Sequence, residues 1–243
     1  MSKGVKAIIL TGGRGTRLGK LTNITQKTML DINGRPFLEY ITNQLKKYNI
    51  YQIIFCTGYR AEQIKRHFKD GSDFGLKIEY SHEEKPLGTG GAIKNCTHLI
   101  NETFIVMNGD TFIDVDYGCL LEFHKLKKSL CTIVLTGVKN PQRYGSVTIW
   151  PDGRIKSFME KAIFQQAGTK MNQNSFISAG VYVFEPEILN NLPKWISSLE
   201  RDIFPSIKSG IYGFVHNGKF IDIGIPEDLR IAREKIKYGN NKK

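Results

Sequence analysis

The first half of the sequence alternates between apolar runs typical of strands and mixed runs typical of helices, and this alternation restricts the possible folds most strongly. Strands are predicted at residues 5–10, 52–56, 76–80 and 103–107, and helices at residues 37–48, 60–69 and 91–100. Such alternation is typical of βα units that build a largely parallel sheet. Because these sheets bind ligands beyond the carboxyl ends of their strands, we expect the polar and glycine-rich segments that follow the strands to lie along one edge.

From about residue 130 the pattern changes to strands joined by turns, at 131–138, 146–150, 154–158 and 177–184, with a hairpin signal at Pro151-Asp152-Gly153. Further helices are predicted at 187–192, 199–204 and 226–237. We therefore expect an α/β protein with a Rossmann-like, mostly parallel central sheet flanked by helices and a β-rich sub-lobe. No Ser/Pro/Gly-rich linker divides the chain, so one domain is predicted over 1–243: a first half at 1–130, the sub-lobe at 131–225, and a C-terminal helix with a basic tail at 226–243.

The formal net charge of +12 indicates an anionic partner. The densest basic runs, at 125–128 and 235–243, have no interleaved aromatic array and no recognisable nucleic-acid module beside them. The charge pattern therefore favours a solvated basic face and an anionic small substrate over nucleic acid.

Membrane and disulfide-rich classes are excluded by composition. No run approaches the roughly 18 apolar residues of a membrane span, and the N-terminus leads straight into a predicted strand without the apolar stretch of a signal peptide. We expect a cytoplasmic protein with no membrane partner. The four cysteines form no CxxC pair, which favours reduced thiols over disulfides or zinc.

The segment that follows the first strand, Leu10-Thr11-Gly12-Gly13-Arg14-Gly15-Thr16-Arg17-Leu18, predicts a phosphate-binding loop. Its three glycines allow a tight turn with several amides facing one anion, and its arginines add fixed positive charge. The dinucleotide fingerprint would need glycine in place of Leu18, and the P-loop pattern would need glycine in place of Arg14 and Ser or Thr in place of Leu21. A plain glycine-rich turn between strand and helix stays open as the alternative.

Two aspartates are candidate metal ligands. Asp110 follows the predicted strand at 103–107, and Asp222 lies between apolar residues just before the last helix. One or two carboxylates together with phosphate oxygens are the usual way in which proteins bind Mg²⁺. The alternative for Asp110 is a capping aspartate in a turn.

A second glycine segment, Leu87-Gly88-Thr89-Gly90-Gly91, could bring its amides to a nucleotide, or it could simply begin a helix with Thr89 as the cap. Glu83 or Glu84 just before it could accept hydrogen bonds from guanine, with exposed loop charge as an equal alternative. Glu160-Lys161 at the end of a strand is either a solvated pair or a grip on sugar hydroxyls and a phosphate.

In this order, the motifs resemble those of the sugar-1-phosphate nucleotidylyltransferases over essentially the whole chain. The matching positions are residues 12–18, Lys27, residues 87–91, Gly109-Asp110, Glu160-Lys161 and Asp222. Within that family the chain resembles D-glycero-D-manno-heptose 1-phosphate guanylyltransferases most, and mannose-1-phosphate guanylyltransferases next. The resemblance implies a GT-A-like nucleotidyltransferase fold with a nucleotide-binding first half and a sugar-binding sub-lobe.

The resemblance also implies a reaction in which a sugar 1-phosphate attacks the α-phosphorus of GTP, with Mg²⁺ as cofactor, giving a GDP-sugar for surface polysaccharide synthesis and pyrophosphate. The implied catalytic residues are Arg17 on the pyrophosphate, Lys27 between the reacting phosphates, and Asp110. The implied nucleotide-binding residues are Leu10, Gly12, Gly13, Arg14, Gly15, Thr16, Glu83, Gly88 and Thr89. The implied sugar-phosphate-binding residues are Gly145, Glu160, Lys161 and Ser178, and the implied metal ligands are Asp110 and Asp222.

Two positions depart from the family pattern. Gln26 stands before Lys27 where the family usually has proline, which removes backbone rigidity but keeps the charge. Ser178 stands before Ala179-Gly180 where the family often has asparagine. The shorter side chain puts an inherited sugar contact in question and could belong to a changed sugar preference.

Two other classes compete with this interpretation. A glycosyltransferase that uses a finished nucleotide-sugar would bind metal through the DxD sequence Asp114-Val115-Asp116, although Asp116 also suits a helix cap. A basic nucleotide- or RNA-binding module would leave Asp110 and Asp222 without a role. The glycosyltransferase reading gives no role to Arg17 and Lys27.

Overall fold

The computed structural model describes residues 4–138, 144–159, 175–190, 192–193, 195–207 and 209–236. The strands are β1 (Lys6–Leu10), β2 (Asp31–Ile32), β3 (Arg35–Pro36), β4 (Gln52–Thr57), β5 (Lys77–His82), β6 (Phe104–Asn108), β7 (Thr111–Ile113), β8 (Cys131–Thr136), β9 (Ser146–Ile149), β10 (Ile155–Met159), β11 (Ser175–Phe184), β12 (Ile211–Val215) and β13 (Phe220–Asp222). The α-helices are α1 (Phe37–Lys47), α2 (Ala61–Phe68), α3 (Gly88–Asn95), α4 (Tyr117–Leu126) and α5 (Pro226–Lys235).

Nine of these strands form one mixed sheet. Strands β5, β4, β1 and β6 are parallel neighbours, and β11 joins β6 in the antiparallel direction. The long β11 then pairs with both β8 and β9, while β12 lies parallel to β8 and β10 lies antiparallel to β9. This arrangement confirms the predicted α/β class with a mostly parallel central sheet flanked by helices.

Both faces of the sheet are buried, because alternate side chains of each strand point to opposite sides. In β1, Ala7 and Ile9 pack into a core with Phe37 of α1, whereas Ile8 packs into the other core with Ile93 of α3. All five side chains are fully buried. A parallel sheet covered on both faces in this way exposes its strand ends as the place for a site.

The strands and helices predicted in the first half are present with small shifts in their ends, except for the helix predicted at 91–100, which is α3 at Gly88–Asn95 followed by a 3₁₀ turn at Thr97–Leu99. Pro151-Asp152-Gly153 forms the turn between β9 and β10. Two predicted helices are wrong in type. The segment predicted at 187–192 is a 3₁₀ turn at Pro186–Asn190, and that at 199–204 is a π-helical turn at Leu199–Ile203 followed by a 3₁₀ turn at Phe204–Ser206. Their apolar spacing does not distinguish one turn of helix from a longer one.

Strands β8, β11 and β12 lie in the same sheet as β1, so the β-rich part continues the central sheet across residue 130. The division into a first half and a sub-lobe stays a prediction, and most of the basic tail lies outside the described residues. Within the described part of the chain, no helix is long and apolar enough to cross a bilayer. The four cysteines are free thiols, as predicted.

Candidate functional site

The site lies where β1, β4 and β6 end. Leu10 is in register with Cys56 on one side and Asn108 on the other, so the segments that leave these strands start at the same edge. The Gly109 amide donates to the Leu10 carbonyl at 2.9 Å, which ties the Asn108-Gly109-Asp110 turn to the start of the glycine loop. The predicted juxtaposition of the first glycine loop with Asp110 is therefore present.

The side chain of Glu83 packs against the glycine loop. A Cβ on Gly12 would lie only 2.1 Å from Oε1 of Glu83, so this carboxylate packs directly against the loop. The other oxygen, Oε2, accepts from the Leu87 amide at 3.1 Å. Burial raises the pKa of Glu83, and the Leu87 amide opposes that rise. Glu84 is exposed, which makes Glu83 the acid of the pair that belongs to the site.

A cavity of about 330 Å³ opens above this loop. It is lined by four groups of residues: the loop itself, the turn around Lys27, the segment that leads into α3, and the turn that follows β6. The lining residues include Leu10, Gly12, Gly13, Arg14, Gln26, Lys27, Glu83, Gly88, Thr89, Asn108 and Asp110. The guanidinium of Arg14 lies over the Tyr59 ring, 5.7 Å from its centroid. This cavity combines backbone amides with fixed positive charge and thus suits a phosphate-bearing ligand.

A second cavity of about 610 Å³ adjoins the first and shares Asn108 and Asp110 with it. Its wall is formed by the start of β9, the end of β10, the middle of β11 and the π-helical turn Leu199–Ile203. Polar side chains converge there from separate elements: Arg17, Ser178, Tyr182, Ser198, Glu200, Arg201 and Asp222. Two cavities that share a wall allow two ligands to meet at Asp110.

Charges of opposite sign meet at this shared wall. Nζ of Lys27, a residue only 6% exposed, lies 2.5 Å from Oδ2 of Asp110. Asp222 ends β13, which pairs with β7 so that Asp222 faces Thr111, and the Ile223 amide donates to the Asp110 carbonyl. One lysine and two aspartates therefore lie within one electrostatic cluster.

The pKa of Asp222 is raised from its ordinary value, first by burial and second by the negative charge of Asp110, while Lys27 opposes the rise. The repulsion between the neighbouring Asp110 and Asp222 carboxylates favours a bound cation, because a cation relieves that repulsion. Carboxylate oxygens are also the hard donors that Mg²⁺ prefers. Among the described residues, no three His, Cys, Asp or Glu side chains gather as an all-protein metal site.

A hydrogen-bonded chain crosses the floor of the larger cavity. The Ser178 hydroxyl donates to the Tyr182 hydroxyl at 3.2 Å, and the Tyr182 hydroxyl donates to Oε1 of Glu200 at 2.5 Å. Ser198 donates to Oε2 of the same carboxylate at 3.1 Å. Burial and the Glu200 charge raise the pKa of Tyr182, so its hydroxyl stays a donor at neutral pH. The Glu200 carboxylate is thereby held in one orientation beside the cavity.

The second glycine segment lines the smaller cavity and begins α3, but Thr89 does not cap that helix. Helix α3 has no side-chain cap, and Thr89 Oγ1 instead accepts from the Leu199 amide at 2.8 Å. Gly88 has φ +72°, and a Cβ there would lie 2.4 Å from the Ser197 carbonyl oxygen. Close packing against residues 197–199 therefore requires glycine at position 88. The alternative in which Thr89 caps α3 is wrong.

The structure brings most of the implied site residues together, and three of them, Arg17, Gly15 and Thr16, differ from the expectation. Arg17 lines the larger cavity and not the one above the glycine loop. Gly15 has φ +65° at the start of the turn Thr16–Thr22, and neither Gly15 nor Thr16 lines either cavity. Gly145 and Ser178 lie on the wall of the larger cavity as predicted. Glu160 and Lys161 lie outside the described residues.

Several lining residues were not predicted from the sequence. Asn108 could have been found, because it ends a buried strand directly before Gly109-Asp110. Tyr182, Glu200 and Arg201 gave no signal, since β11 was expected to be a plain strand and 199–204 a plain helix. For Gln26 the sequence shows only a departure from proline.

The DxD sequence lies away from both cavities. Asp116 accepts from the Cys119 amide at 2.9 Å and caps α4. The Asp114 backbone joins the loop at 216–219, through bonds from His216 to its carbonyl and from its amide to Lys219. Neither aspartate lines a cavity described above. The competing glycosyltransferase interpretation thus loses the motif on which it rested.

A mostly parallel sheet with adjoining polar cavities and a lysine–aspartate cluster at its strand ends defines an α/β transferase. The family model described as nucleotidyl transferase matches residues 6–238, and the chain belongs to this family.

Among curated proteins, the D-glycero-alpha-D-manno-heptose 1-phosphate guanylyltransferase of Campylobacter jejuni is 38% identical over 92% of this chain and 96% of its own. The mannose-1-phosphate guanylyltransferase of Mycobacterium tuberculosis is 37% identical over 93% of this chain, and the match spans 62% of that longer protein. The crystal structure of HddC from Yersinia pseudotuberculosis complexed with GMP-PN has a TM-score of 0.82 and 35% identity, covering 96% of this chain and 100% of that one.

Proposed function

We propose that this protein transfers GMP from GTP to D-glycero-D-manno-heptose 1-phosphate, giving a GDP-heptose and pyrophosphate. The observation that carries the proposal is the pair of cavities that meet at Asp110, one built like a phosphate site and the other walled by hydroxyl and carboxylate groups. The heptose assignment is supported by relatives named for that substrate that match this chain over nearly their full length.

The chemistry joins two anions, so charge neutralisation and alignment dominate catalysis. Lys27 would bridge the α-phosphate and the attacking sugar phosphate, since its ammonium group lies at the wall between the cavities. The loop amides and Arg14 would hold the triphosphate in the smaller cavity. Arg17, on the larger cavity, would contact the phosphates where they pass between the two. No general base is needed, because the attacking phosphate is already ionised.

Asp110 and Asp222 would hold Mg²⁺ together with substrate phosphate oxygens. The ion would neutralise phosphate charge in the transition state. Lys27 is ion-paired with Asp110. With the Asp110 carboxylate on the ion, the ammonium group of Lys27 would be available to the phosphates.

Glu83 is proposed to select guanine, because its carboxylate would accept hydrogen bonds from N1–H and N2–H₂ of the base. Its position on the smaller cavity supports this role, whereas its contacts with Gly12 and Leu87 also give it a structural one. The Glu83→Gln variant tests the role, with the exposed Glu84→Gln as the control. We expect the ratio of GTP to ATP turnover to fall at least tenfold in E83Q alone. An unchanged ratio in E83Q would remove Glu83 from base selection.

On the sugar side, Glu200 is the proposed acceptor for ring or side-chain hydroxyls, because Tyr182 and Ser198 fix its carboxylate beside the larger cavity. Ser178 would contribute a hydroxyl group, and its short side chain would leave space in the cavity that the longer side chain of asparagine would fill. Mannose 1-phosphate is the second candidate substrate, favoured by relatives of similar identity that are named for it. The reaction would take place in the cytoplasm, where GTP is available, and would supply surface polysaccharide synthesis.

The test is a matrix of incubations with Mg²⁺, each of four nucleoside triphosphates and a panel of sugar 1-phosphates, with products identified by mass spectrometry. We expect a GDP-sugar in the GTP row, with the manno-heptose phosphate reacting faster than mannose 1-phosphate. If mannose 1-phosphate reacts faster, the assigned substrate changes to mannose 1-phosphate, whereas the proposed type of reaction stands. Release of GDP or UDP from supplied nucleotide-sugars, with no nucleotide-sugar formed, would contradict the proposal.

A further inference from the structure

The side chain of Gln26 joins the turn that carries Lys27 to the glycine loop. Gln26 is fully buried, and its Nε2 donates to the Thr11 carbonyl at 2.5 Å. Its Oε1 accepts from both the amide and the hydroxyl of Thr28, each at 2.6 Å. One side-chain amide therefore connects the residue before the loop glycines with the residue after the lysine.

The backbone of Gln26 is also fixed. Its amide donates to Oε1 of Gln63 on α2 at 2.7 Å, and its φ of −61° is the value that a proline ring would impose. The chain thus keeps the backbone shape of proline here while adding three side-chain hydrogen bonds that proline does not form. Lys27 follows directly and begins the 3₁₀ turn Lys27–Met29.

The bonded groups on either side are themselves buried. Thr11 is 2% exposed and is anchored to Cys56 of β4 through both its amide and its hydroxyl, while Thr28 is 3% exposed. A hydrogen bond between such groups is shielded from water and defines a narrow geometry. The Gln26 side chain therefore fixes the position of the turn that carries Lys27 relative to the glycine loop.

We propose that Gln26 is a positioning residue for phosphate transfer: its side-chain amide holds Lys27 at the correct distance from the phosphates bound by the glycine loop. The proposal rests on the proposed nucleotidyl transfer and adds a residue that the family pattern does not supply. A displacement of about 1 Å in a charged group that aligns two reactants costs up to roughly 100-fold in rate.

The test is Gln26→Met, which keeps the volume of the side chain and removes its hydrogen bonds. Gln44→Met is the matched control, because Gln44 is also buried and donates from Nε2 to a backbone carbonyl, that of Ile113, but lines neither cavity. We expect Q26M to lower kcat at least tenfold with a less than threefold change in the KM for sugar 1-phosphate. Q44M is expected to keep kcat within twofold even where it lowers the melting temperature.

Thr28→Val is the milder second variant, since it removes only one donor to Gln26 Oε1, and we expect a kcat between those of Q26M and the wild type. A folded Q26M with kcat within twofold of wild type would overturn the role of Gln26, and so would an equal loss in Q44M.

If wild type binds GTP but transfers nothing, the proposed function fails instead. The GTP-induced rise in melting temperature then tests Gln26 separately: a smaller rise in Q26M than in Q44M supports it, and an equal rise overturns it.

Discussion

At the scale of single residues, the site depends on the balance of charge among Lys27, Asp110 and Asp222. The two aspartates repel each other and Lys27 compensates, which is visible in the direction and causes of the raised Asp222 pKa. A buried lysine paired with a carboxylate is costly to desolvate and is kept where chemistry uses it. Stability and function therefore oppose each other at this cluster.

Removal of the lysine is expected to abolish most turnover. Lys27→Ala should lower kcat/KM by about 100-fold or more, because the only ammonium group at the described wall between the cavities is lost. Lys20→Ala is the control, since Lys20 is exposed on the same segment and lines neither cavity. Near-normal turnover in K27A, with circular dichroism showing an intact fold, would contradict the role assigned to Lys27.

Neutralisation of Asp222 is expected to stabilise the protein while it removes activity. The raised pKa means that the folded protein binds the Asp222 proton more tightly than the unfolded chain does. Ionised Asp222 thus lowers the free energy of unfolding at neutral pH, and this cost disappears as the pH falls below the ordinary aspartate value of 3.8. Asp222→Asn should therefore gain about 1 kcal/mol at pH 7 and nothing at pH 3.5.

Urea unfolding without divalent cations measures this difference. Asp31→Asn is the matched control, because exposed Asp31 also accepts from a nearby glycine amide, as Asp222 does. A D222N protein that is less stable than D31N at pH 7 would show that the carboxylate repulsion is unimportant.

The sequence predicted the charged members of the site better than the residues that position them. Lys27, Asp110 and Asp222 were found because phosphate chemistry demands their residue types beside glycine loops and strand ends. Gln26 and Tyr182 were not, because their roles consist of hydrogen bonds to residues distant in sequence or in a neighbouring turn. Such partners depend on the tertiary arrangement and leave no local pattern.

At the scale of elements, the two glycine segments differ in what their glycines allow. Gly13 faces open space, whereas Gly88 lies against the Ser197 carbonyl with φ +72°. Gly13→Ala should change stability by less than about 0.5 kcal/mol but raise the KM for GTP several-fold, because its methyl group would face the bound phosphates. Gly88→Ala should cost at least about 2 kcal/mol through backbone strain and a clash.

Thermal unfolding and steady-state kinetics of this matched pair separate the two effects. Equal stability of G13A and G88A would contradict the packing of α3 against residues 197–199. Equal GTP affinity of G13A and wild type would contradict the assignment of the first loop to phosphate.

The predicted elements of the first half were found because apolar periodicity and short connections determine βα units locally. The elements missed include β12 and several short strands, among them β7 and β13, which are three residues each and pair with one another. Three residues are too few for a period to be recognised. This pair of strands brings Asp222 close to Asp110. The sequence predicts the two aspartates as joint metal ligands, but it does not predict the strand pairing that brings them together.

At the scale of the whole molecule, the central sheet places two cavities side by side in a chain whose formal net charge is +12. Both proposed substrates are anions, so the charge should raise their local concentration near the site. We expect the KM for GTP to rise several-fold between 50 and 500 mM NaCl as the Debye length shortens, with kcat changed less than twofold. A KM independent of salt would show that the net charge does not contribute to substrate capture.

Pyrophosphate release measures whether the two cavities form one transfer site. With Mg²⁺, GTP and D-glycero-D-manno-heptose 1-phosphate together, we predict steady release of one pyrophosphate for each GDP-heptose formed. With either substrate alone we predict none. Release from GTP alone at the same rate, or no release from any combination of nucleoside triphosphate and sugar 1-phosphate, would contradict the account.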